Sequence, residues 1–251
     1  MTANIPLTEF SREEGIISPD FEHLSLHLPA RCLMAFLGEK RIAAFAESRG
    51  GKITGSFLSL TKKFPLYEIP GKEDPLLLVQ APAGAASAVL IEDRLFAYGV
   101  KKVLAIGCCG SLVDLPENCF FPIERALRDE GTSYHYVEPS RFIELDKEPL
   151  TKLQGYFKKK GLPFHPAATW TSDGFFRETP EKVQKRKAEG CELVDMEASA
   201  LAACARFRKK EFAEIMFTAD TLSSLSHDQR HWGRESRSAA LVLGMEALEE
   251  I

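Results

Sequence analysis

The sequence predicts an α/β protein, a single-domain, three-layer α/β/α fold around a central mixed, largely parallel sheet. Three observations carry this prediction. Short, almost wholly apolar runs alternate with stretches of helical periodicity, as expected where helices cover both faces of a parallel sheet. No repeat or low-complexity linker divides the chain. The 251 residues, 45% of them hydrophobic, suffice for one substantial core.

The first half of the chain supplies two strand–helix pairs. Residues 31–38 (RCLMAFLG) form an apolar run that ends in glycine, and a helix is predicted over about 40–48. A second apolar run, 75–82 (PLLLVQAP), precedes a helix over 83–99 with one apolar face and a glycine at its end. This order, strand then helix, is typical of a parallel sheet with helical crossovers.

The remaining elements follow the same alternation. Residues 101–112 (KKVLAIGCCGSL) are predicted to form a buried strand that runs into a glycine-rich turn. Residues 166–173 read as a strand with an acid at its end, and 192–210 as a strand stub followed by a helix. Residues 211–220 form a strand ending in Asp220, and a last helix starts near Arg234.

Composition narrows the class of protein. Residues 1–251 are predicted to form one domain in which 1–20 is a polar N-terminal extension, and no segment reaches the ~18 apolar residues of a membrane span. We therefore expect a soluble, cytoplasmic protein that binds no membrane. The net charge is −4, and the basic runs 157–161 and 182–190 read as solvated helix faces, which argues against nucleic-acid binding.

The six cysteines predict no metal site. None belongs to a CxxC pair, and Cys108 and Cys109 are adjacent, which disfavours a disulfide between them. Reduced thiols are expected, and a nucleophilic role for either cysteine lacks a supporting local motif.

Four chemically useful segments follow predicted strands: Gly107–Gly110, Asp173, Glu197 and Asp220. Ligands bind outside the carboxyl ends of the strands in open α/β sheets, so these segments are predicted to share one edge. Each also has an ordinary explanation. Glycines suit a plain turn, acids complement a helix dipole, and Asp220 could cap a helix or form an Asx turn. The segment 128–136 reads locally as extended surface, with Arg128 paired to neighbouring acids.

Taken together, five segments resemble the nucleoside phosphorylase family, of the hexameric bacterial type that contains uridine phosphorylase and purine nucleoside phosphorylase. Their order and spacing agree, and the resemblance runs from about residue 20 to the end. The segments are YGVKKVLAIGCCGSL (98–112), RDEGTSYHY (128–136), TSDGFF (171–176), VDMEASAL (194–201) and FTAD (217–220).

The resemblance implies roles for particular residues. Glu197 would accept hydrogen bonds from the ribose 2′- and 3′-hydroxyls, and Met196 would pack on the sugar. His23 resembles the histidine that reaches the ribose 5′-hydroxyl across a subunit interface. Asp195 keeps an ordinary interpretation as a cap or a solvent-facing acid.

The base pocket implied by the resemblance contains Phe175, which would stack on the base, and Cys109, Gly110 and Asp220. Uridine phosphorylase-like members hold uracil with Gln and Arg, and here those positions are Thr179 and Glu181. An Asp at position 220 resembles the purine enzymes, where it protonates N7 as the glycosidic bond breaks. A purine-like nucleoside is therefore favoured over uridine.

The phosphate site is where this chain departs from the family. The resemblance implies phosphate binding by Gly38, Arg41, Gly107 and Cys108, in which the "GEKR" segment is a shortened form of the family's phosphate loop. The family arginine two residues before the turn glycine is replaced by Ala105, and Lys62 or Lys63 is the nearest basic residue that a neighbouring subunit could donate.

Three functions stay open at this point. The first is a nucleoside phosphorylase that uses inorganic phosphate as co-substrate and needs no metal or organic cofactor. The second is a nucleosidase of the same superfamily, with water as nucleophile, and the third is a nucleoside-binding homologue without turnover. The resemblance also implies a homo-oligomer, a hexamer or a dimer, with sites shared between chains.

Overall fold

A computed structural model describes residues 5–251 and contains one mixed ten-stranded sheet covered by helices. The predicted α/β fold class is confirmed. The strands are β1 Arg31–Ala35, β2 Lys52–Leu58, β3 Lys63–Ile69, β4 Leu76–Gln80, β5 Lys102–Ser111, β6 Phe120–Asp129, β7 Phe142–Glu144, β8 Ala167–Ser172, β9 Leu193–Asp195 and β10 Glu211–Thr221. The helices are α1 Glu39–Ser48, α2 Ala85–Ala97, α3 Lys147–Lys160, α4 Pro180–Ala188, α5 Ala198–Phe207 and α6 Ser236–Glu250.

The centre of the sheet is parallel, and its margins are antiparallel. Strand β1 pairs in parallel with β4 and β5, and β5 pairs in parallel with β10. Strands β2 and β3 extend the sheet beyond β4 with antiparallel pairings. The pairings β5–β10–β6–β8–β9–β5 close into a ring. This ring brings the ends of β5, β8, β9 and β10 together.

Helices cover both faces, which is why the central strands are apolar throughout. Side chains of α2 and α5 pack with those of one sheet face in a single buried cluster. Side chains of α1, α3 and α6 form the cluster on the opposite face. In β4, the first four residues are buried on both faces, so the strand shows no polar alternation.

Sequence patterning missed β2, β3, β6 and β7. Strand β2 lies at the sheet edge and most of its residues are exposed or half-buried, so it lacks an apolar run. Strand β6 contains Pro122, Glu124, Arg125 and Arg128, which disguise it, although β8 and β10 pair with it on both sides. Polar strands of this kind are specified by their partners more than by their own pattern.

The basic runs lie on α3 and α4, as predicted, with one exception. Lys158, Lys159 and Lys160 end α3 and are exposed. In α4, however, Arg186 is buried, and its guanidinium bonds Asp129 at 3.0 Å and Glu189 at 2.9 Å. The expectation of a fully solvated face is therefore wrong at Arg186. Within residues 5–251 no helix combines the length and hydropathy that crossing a bilayer requires.

Glu214 of β10 gives a prediction about stability. It is buried, and within residues 5–251 its Oε2 atom has no hydrogen-bond partner. Burial raises the pKa of Glu214 well above its usual value, and repulsion from Asp195 adds to the effect. An acid whose pKa is higher in the folded state than in the unfolded state stabilises the fold while it is protonated, and this stability is lost as the pH rises above the unfolded value.

We expect Glu214→Gln to raise the free energy of unfolding at pH 8 by at least about 1 kcal/mol, or a few degrees in Tm. Near pH 4.5 the variant and the wild type should nearly coincide, because both then carry a neutral group. Thermal unfolding at the two pH values measures the difference, and Glu47→Gln on the exposed face of α1 is the matched control. An equal change at both pH values would assign the effect to packing.

Candidate active site at the ends of β5, β9 and β10

Two acids precede α5, and the fold gives them different tasks. Asp195 ends β9 and is buried. Its Oδ2 accepts hydrogen bonds from the amides of Glu197 (2.7 Å) and Ala198 (2.6 Å), so it caps α5. Its Oδ1 accepts from the hydroxyls of Thr169 and Thr171, each at 2.9 Å. The predicted cap is confirmed, and the solvent-facing alternative is wrong.

The side chain of Glu197 does not cap α5. It is half-buried and lies beside the N-terminus of α2. Its Oε1 accepts a hydrogen bond at 2.5 Å from the amide of Gly84, which precedes α2 and has a φ of 93°. A backbone in this region favours glycine. Burial raises the pKa of Glu197 to about 8, and repulsion from Asp195 contributes. Met196 lies between the two acids and is also half-buried.

The segment 128–136 supports α5 from beneath. Arg128 and Glu130 are buried, which overturns the expectation of an extended surface segment. The Arg128 guanidinium donates to the Ser133 and Ser140 hydroxyls and to carbonyl oxygens rather than to neighbouring acids. Glu130 accepts a 2.8 Å hydrogen bond from the Ser199 hydroxyl in the first turn of α5. These contacts hold the start of α5, and Glu197 with it.

Residues 107–110 do not form the predicted turn. They continue β5 to Ser111, because β10 pairs along this segment and β9 pairs with Gly110 and Ser111. Gly107 is buried, and a Cβ there would lie 3.0 Å from the Phe36 Cβ atom, so its lack of a side chain serves packing. The predicted glycine-rich turn is therefore wrong, since this part of β5 lies in the sheet, and phosphate binding by Gly107 and Cys108 stays a prediction.

The alternation of β5 separates its two cysteines. Cys108 is exposed, and its thiol lies in the electrostatic field of Arg237, Asp220 and Glu197. Cys109 is buried, and its Sγ lies 3.5 Å from the Phe217 carbonyl oxygen in the core. The predicted contact of Cys109 with a base can therefore involve only its backbone. Cys108 instead lies between the acids Asp220 and Glu197 on one side and the cationic cleft that contains Arg237 on the other.

Asp220 lies near the end of β10 and is mostly buried, with a side-chain exposure of 12%. A Cβ at Gly110 would come within 3.4 Å of Asp220 Oδ1, so the glycine leaves room beside this carboxyl. The Nε2 atom of His227 lies 3.1 Å from Asp220 Oδ2. Asp220 is thus neither a helix cap nor part of an exposed turn, and it faces the same space as Gly110.

The base segment follows β8. Phe175 is 41% exposed and meets Phe176 edge-on at 5.1 Å between ring centroids, so its face can accept a planar group. Thr179 caps α4 by accepting a hydrogen bond from the amide of Lys182, and Glu181 is exposed. Half-buried Glu178 was not predicted. Burial raises its pKa to about 7, with repulsion from Asp220 and Asp195 adding to the effect.

A cationic cleft of about 1350 Å³ lies on the other side of Cys108. Gly38 and Arg41, which the resemblance assigns to phosphate binding, line it, and Arg41 donates a 2.5 Å hydrogen bond to the Ser238 hydroxyl. Lys62 also lines it and pairs with Glu39 at 3.2 Å. Ala105 is fully buried and adds nothing to this wall.

The cleft contains a cation that sequence patterning missed. Arg237, in the first turn of α6, lines the cleft, and its charge acts on the Cys108 thiol. Among residues 5–251, no ion pair or hydrogen bond engages its guanidinium. An arginine of this kind is available to an anionic ligand.

His23 lies away from this constellation in its own chain. It is exposed, with a φ of 48°, and the next residue, Leu24, donates its amide to the Tyr98 hydroxyl at the C-terminal end of α2. Glu197 contacts the opposite end of that helix, about 20 Å away for its length. The role of His23 in the site of a neighbouring subunit stays a prediction, and residues 1–4 of the extension lie outside the described residues.

Gly84, Glu178, His227 and Arg237 were missed for one shared reason. Each stands in a segment whose local pattern is ordinary: a glycine before a helix, or a charged residue in a polar loop or first helical turn. Only the glycine left a usable signal, since a glycine directly before an apolar helix commonly marks its start.

The curated relatives that match by sequence include nucleoside phosphorylases. A guanosine phosphorylase from Halorubrum lacusprofundi is 28% identical over 146 residues, which are 58% of this chain and 60% of the relative. The matched segments span 47 to 60% of the lengths of the curated relatives.

Solved structures share the fold across most of the chain. An AMP nucleosidase from Bacteroides thetaiotaomicron superposes with a TM-score of 0.72 at 22% identity, covering 88% of each chain. A uridine phosphorylase from Vibrio fischeri superposes with a TM-score of 0.75 at 18% identity, covering 88% of this chain and 92% of the other. The phosphorylase superfamily model matches residues 30–248. The chain therefore belongs to the phosphorylase superfamily, as a member of its nucleoside phosphorylase family.

Proposed function

We propose that the protein is a nucleoside phosphorylase that cleaves the N-glycosidic bond of a purine nucleoside with inorganic phosphate, giving free base and ribose 1-phosphate. The observation that carries the proposal is the cationic cleft containing Arg41 and Arg237, which meets Glu197 and Asp220 at Cys108. In this arrangement three binding places adjoin one another: the cleft for an anionic nucleophile, the space at Glu197 for the sugar, and the space at Asp220 for the base.

Phosphate is the nucleophile that the cleft suits. A dianion needs paired positive charge when it leaves bulk water. The buried Ala105 supplies none, but Arg237 and Arg41 present two guanidiniums from the other wall of the cleft. A guanidinium matches phosphate oxygens with paired hydrogen bonds. In this proposal Arg237 performs the charge neutralisation that position 105 lacks.

Glu197 is the group that holds the sugar. One oxygen of its carboxyl accepts from the Gly84 amide, and the residue is only half-buried, so a ligand's hydroxyls can reach the carboxyl. Binding two ribose hydroxyls stabilises the ionised form, and the resulting negative charge stabilises the cation-like sugar of the transition state. Met196 lies next to it and covers the apolar face of the sugar.

The acids of the base pocket favour a purine. Asp220 protonates N7 as the C1′–N9 bond breaks, so that the electron pair leaves on a neutral base. Uracil offers no equivalent N7, and the positions that hold uracil in uridine phosphorylase-like members are here a helix cap, Thr179, and an exposed acid, Glu181. The name of the Halorubrum lacusprofundi relative, guanosine phosphorylase, agrees with this choice.

A phosphate-independent nucleosidase is the second candidate. Ala105 in place of the family arginine favours it, because water needs no cationic site. An AMP nucleosidase also shares the fold. For both candidate functions we also propose that the chain assembles as a homo-oligomer in which His23 enters the site of a neighbouring subunit.

The test is base release from a panel of guanosine, inosine, adenosine and uridine, with and without phosphate. Phosphate-dependent release from purine nucleosides, with formation of ribose 1-phosphate, supports the phosphorylase. Equal release without phosphate replaces it with the nucleosidase. Nucleoside binding without release points to a homologue that lacks turnover.

Replacing Arg237 tests the nucleophile site directly. We expect Arg237→Met to raise the KM for phosphate about 10- to 100-fold, since a hydrogen-bonded charge contributes about 1.5–3 kcal/mol. The KM for nucleoside should change little. Initial rates at varied phosphate concentration provide the measurement, and Arg234→Met, an exposed arginine just before α6, is the control. An unchanged KM for phosphate would remove Arg237 from the phosphate site.

A further inference from the structure

The loop between β10 and α6 (residues 222–235, the 222–235 loop) is tied closely to the sheet. Thr221 and Asp228 exchange two backbone hydrogen bonds of 2.9 and 3.0 Å. Farther along, the Glu117 carboxylate accepts from the amides of His231 (3.1 Å) and Gly233 (2.8 Å). Arg230 donates to the Leu115 carbonyl oxygen at 2.8 Å. The loop therefore holds a defined course across the end of β10.

This course places His227 on Asp220. Because Thr221 and Asp228 pair in antiparallel fashion, Asp220 and His227 are diagonal neighbours on one face of this pairing, and His227 Nε2 lies 3.1 Å from Asp220 Oδ2. The two side chains differ in their access to water: the side chain of His227 is 46% exposed and that of Asp220 only 12%. The Trp232 ring lies 5.7 Å from the imidazole and limits its movement on one side. The imidazole thus connects solvent to a largely enclosed carboxyl.

We infer that His227 is a proton shuttle that returns a proton to Asp220 in each turnover, an inference that rests on the proposed function. Asp220 gives its proton to purine N7 as the C1′–N9 bond breaks and is left as a carboxylate. The phosphate oxygen that bonds C1′ loses its proton to solvent. His227 takes one proton from solvent and passes one from Nε2 to Oδ2. One proton is lost by phosphate and one is gained by the base, so the cycle balances.

Within the described part of the chain, residues 5–251, no other group around Asp220 is placed to perform this transfer. Cys108 and Cys109 lie near enough to Asp220 to feel its charge, but loss of contact with water raises the pKa of both thiols, which makes them poor proton carriers. Glu178 faces it from the segment before α4, yet its carboxyl makes no hydrogen bond to another side chain among residues 5–251. Of the described side chains, His227 alone combines a hydrogen bond to the Asp220 carboxylate with solvent contact.

The test compares two variants on two substrates. His227→Ala (H227A) removes both the hydrogen bond to Asp220 and the imidazole that carries the proton. His227→Gln (H227Q) can still donate a hydrogen bond to Asp220 but cannot relay a proton. Guanosine requires protonation at N7 for its base to leave, while 7-methylguanosine already carries positive charge on the purine. Steady-state kcat and KM are measured for both nucleosides at saturating phosphate, and for phosphate at saturating nucleoside, with and without added imidazole.

We expect both variants to lower kcat for guanosine about tenfold or more, with the KM for nucleoside and for phosphate within twofold of the wild type. Turnover of 7-methylguanosine should be nearly unaffected, and imidazole should restore guanosine turnover by H227A. His231→Gln, whose ring is 84% exposed and contacts Glu117, is the control on the same loop.

Contrary results separate this inference from the function on which it rests. Normal guanosine turnover by H227Q, with loss only in H227A, would reduce His227 to positioning and overturn the shuttle. Equal loss on both substrates without imidazole rescue would do the same. If the wild-type protein releases no base from any nucleoside, the proposed function fails first, and the shuttle fails with it.

Discussion

Replacing Asp220 with asparagine is expected to lower kcat for guanosine or inosine about 100- to 10,000-fold, the range that a positioned general acid contributes. Asparagine keeps the shape of the side chain and can still hydrogen-bond a purine, but it has no acidic proton to give to N7. Nucleoside binding should therefore stay within a few-fold of the wild type. Phosphorolysis rates and direct binding of the nucleoside measure the two effects separately.

The base of the substrate provides an internal check on this result. With 7-methylguanosine the purine leaves without protonation at N7, so Asp220→Asn should lose much less activity on it than on guanosine. Asp228→Asn, an exposed acid on the 222–235 loop, should behave as the wild type on both. Wild-type turnover of guanosine by Asp220→Asn would remove Asp220 from the acid role.

Replacing Glu197 with glutamine is expected to lower kcat/KM about 100- to 1,000-fold, as loss of one preorganised electrostatic contact to the transition state does. Glutamine can still accept the Gly84 hydrogen bond, so the junction of α2 and α5 is kept. It cannot supply the negative charge that strengthens hydrogen bonds from the ribose hydroxyls and stabilises the developing cation. Glu181→Gln, an exposed glutamate at the start of α4, is the matched control.

The pH dependence of nucleoside binding distinguishes charge from shape at this position. Burial, with repulsion from Asp195, raises the pKa of Glu197 to about 8, so below that pH the empty site holds a neutral carboxyl. Nucleoside affinity in the wild type should therefore increase from pH 6.5 to pH 9, and Glu197→Gln should flatten this increase. An increase of equal size in the variant would assign it to another group, such as Asp173 or Cys108, which also face this part of the site.

Much of the fold could be predicted because the central strands lie between two layers of helices. Burial on both faces makes 32–35, 76–79 and 103–106 apolar throughout, and such runs can be recognised in the sequence. Helices α2 and α5 were also predictable, because apolar residues extend over most of each helix. Strands β2, β3, β6 and β7 escaped because antiparallel margins and ring closure tolerate polar residues and proline, and only their partners define them.

The site divides in the same way. The placement of Glu197 and Asp220 at one edge was predictable, because Glu197 follows β9, Asp220 lies near the end of β10, and ligands of such sheets bind at the carboxyl ends of strands. The glycines at 107 and 110 were identified as special for the wrong reason. They let the side chains of Phe36 and Asp220 pack closely against β5. The glycine-rich turn that was predicted at these positions does not form.

The amino-acid sequence by itself determined the family, the layered core and the acids at the strand ends, because these depend on local pattern and on where strands end. The tertiary structure alone decided that Arg237 lines the cleft and that His227 contacts Asp220. Arg237 reaches the cleft only because α6 packs on the sheet, and His227 reaches Asp220 only because Asp228 pairs with Thr221. Contacts of this kind arise between segments brought together by packing, and hydrophobic periodicity along the chain carries no record of them.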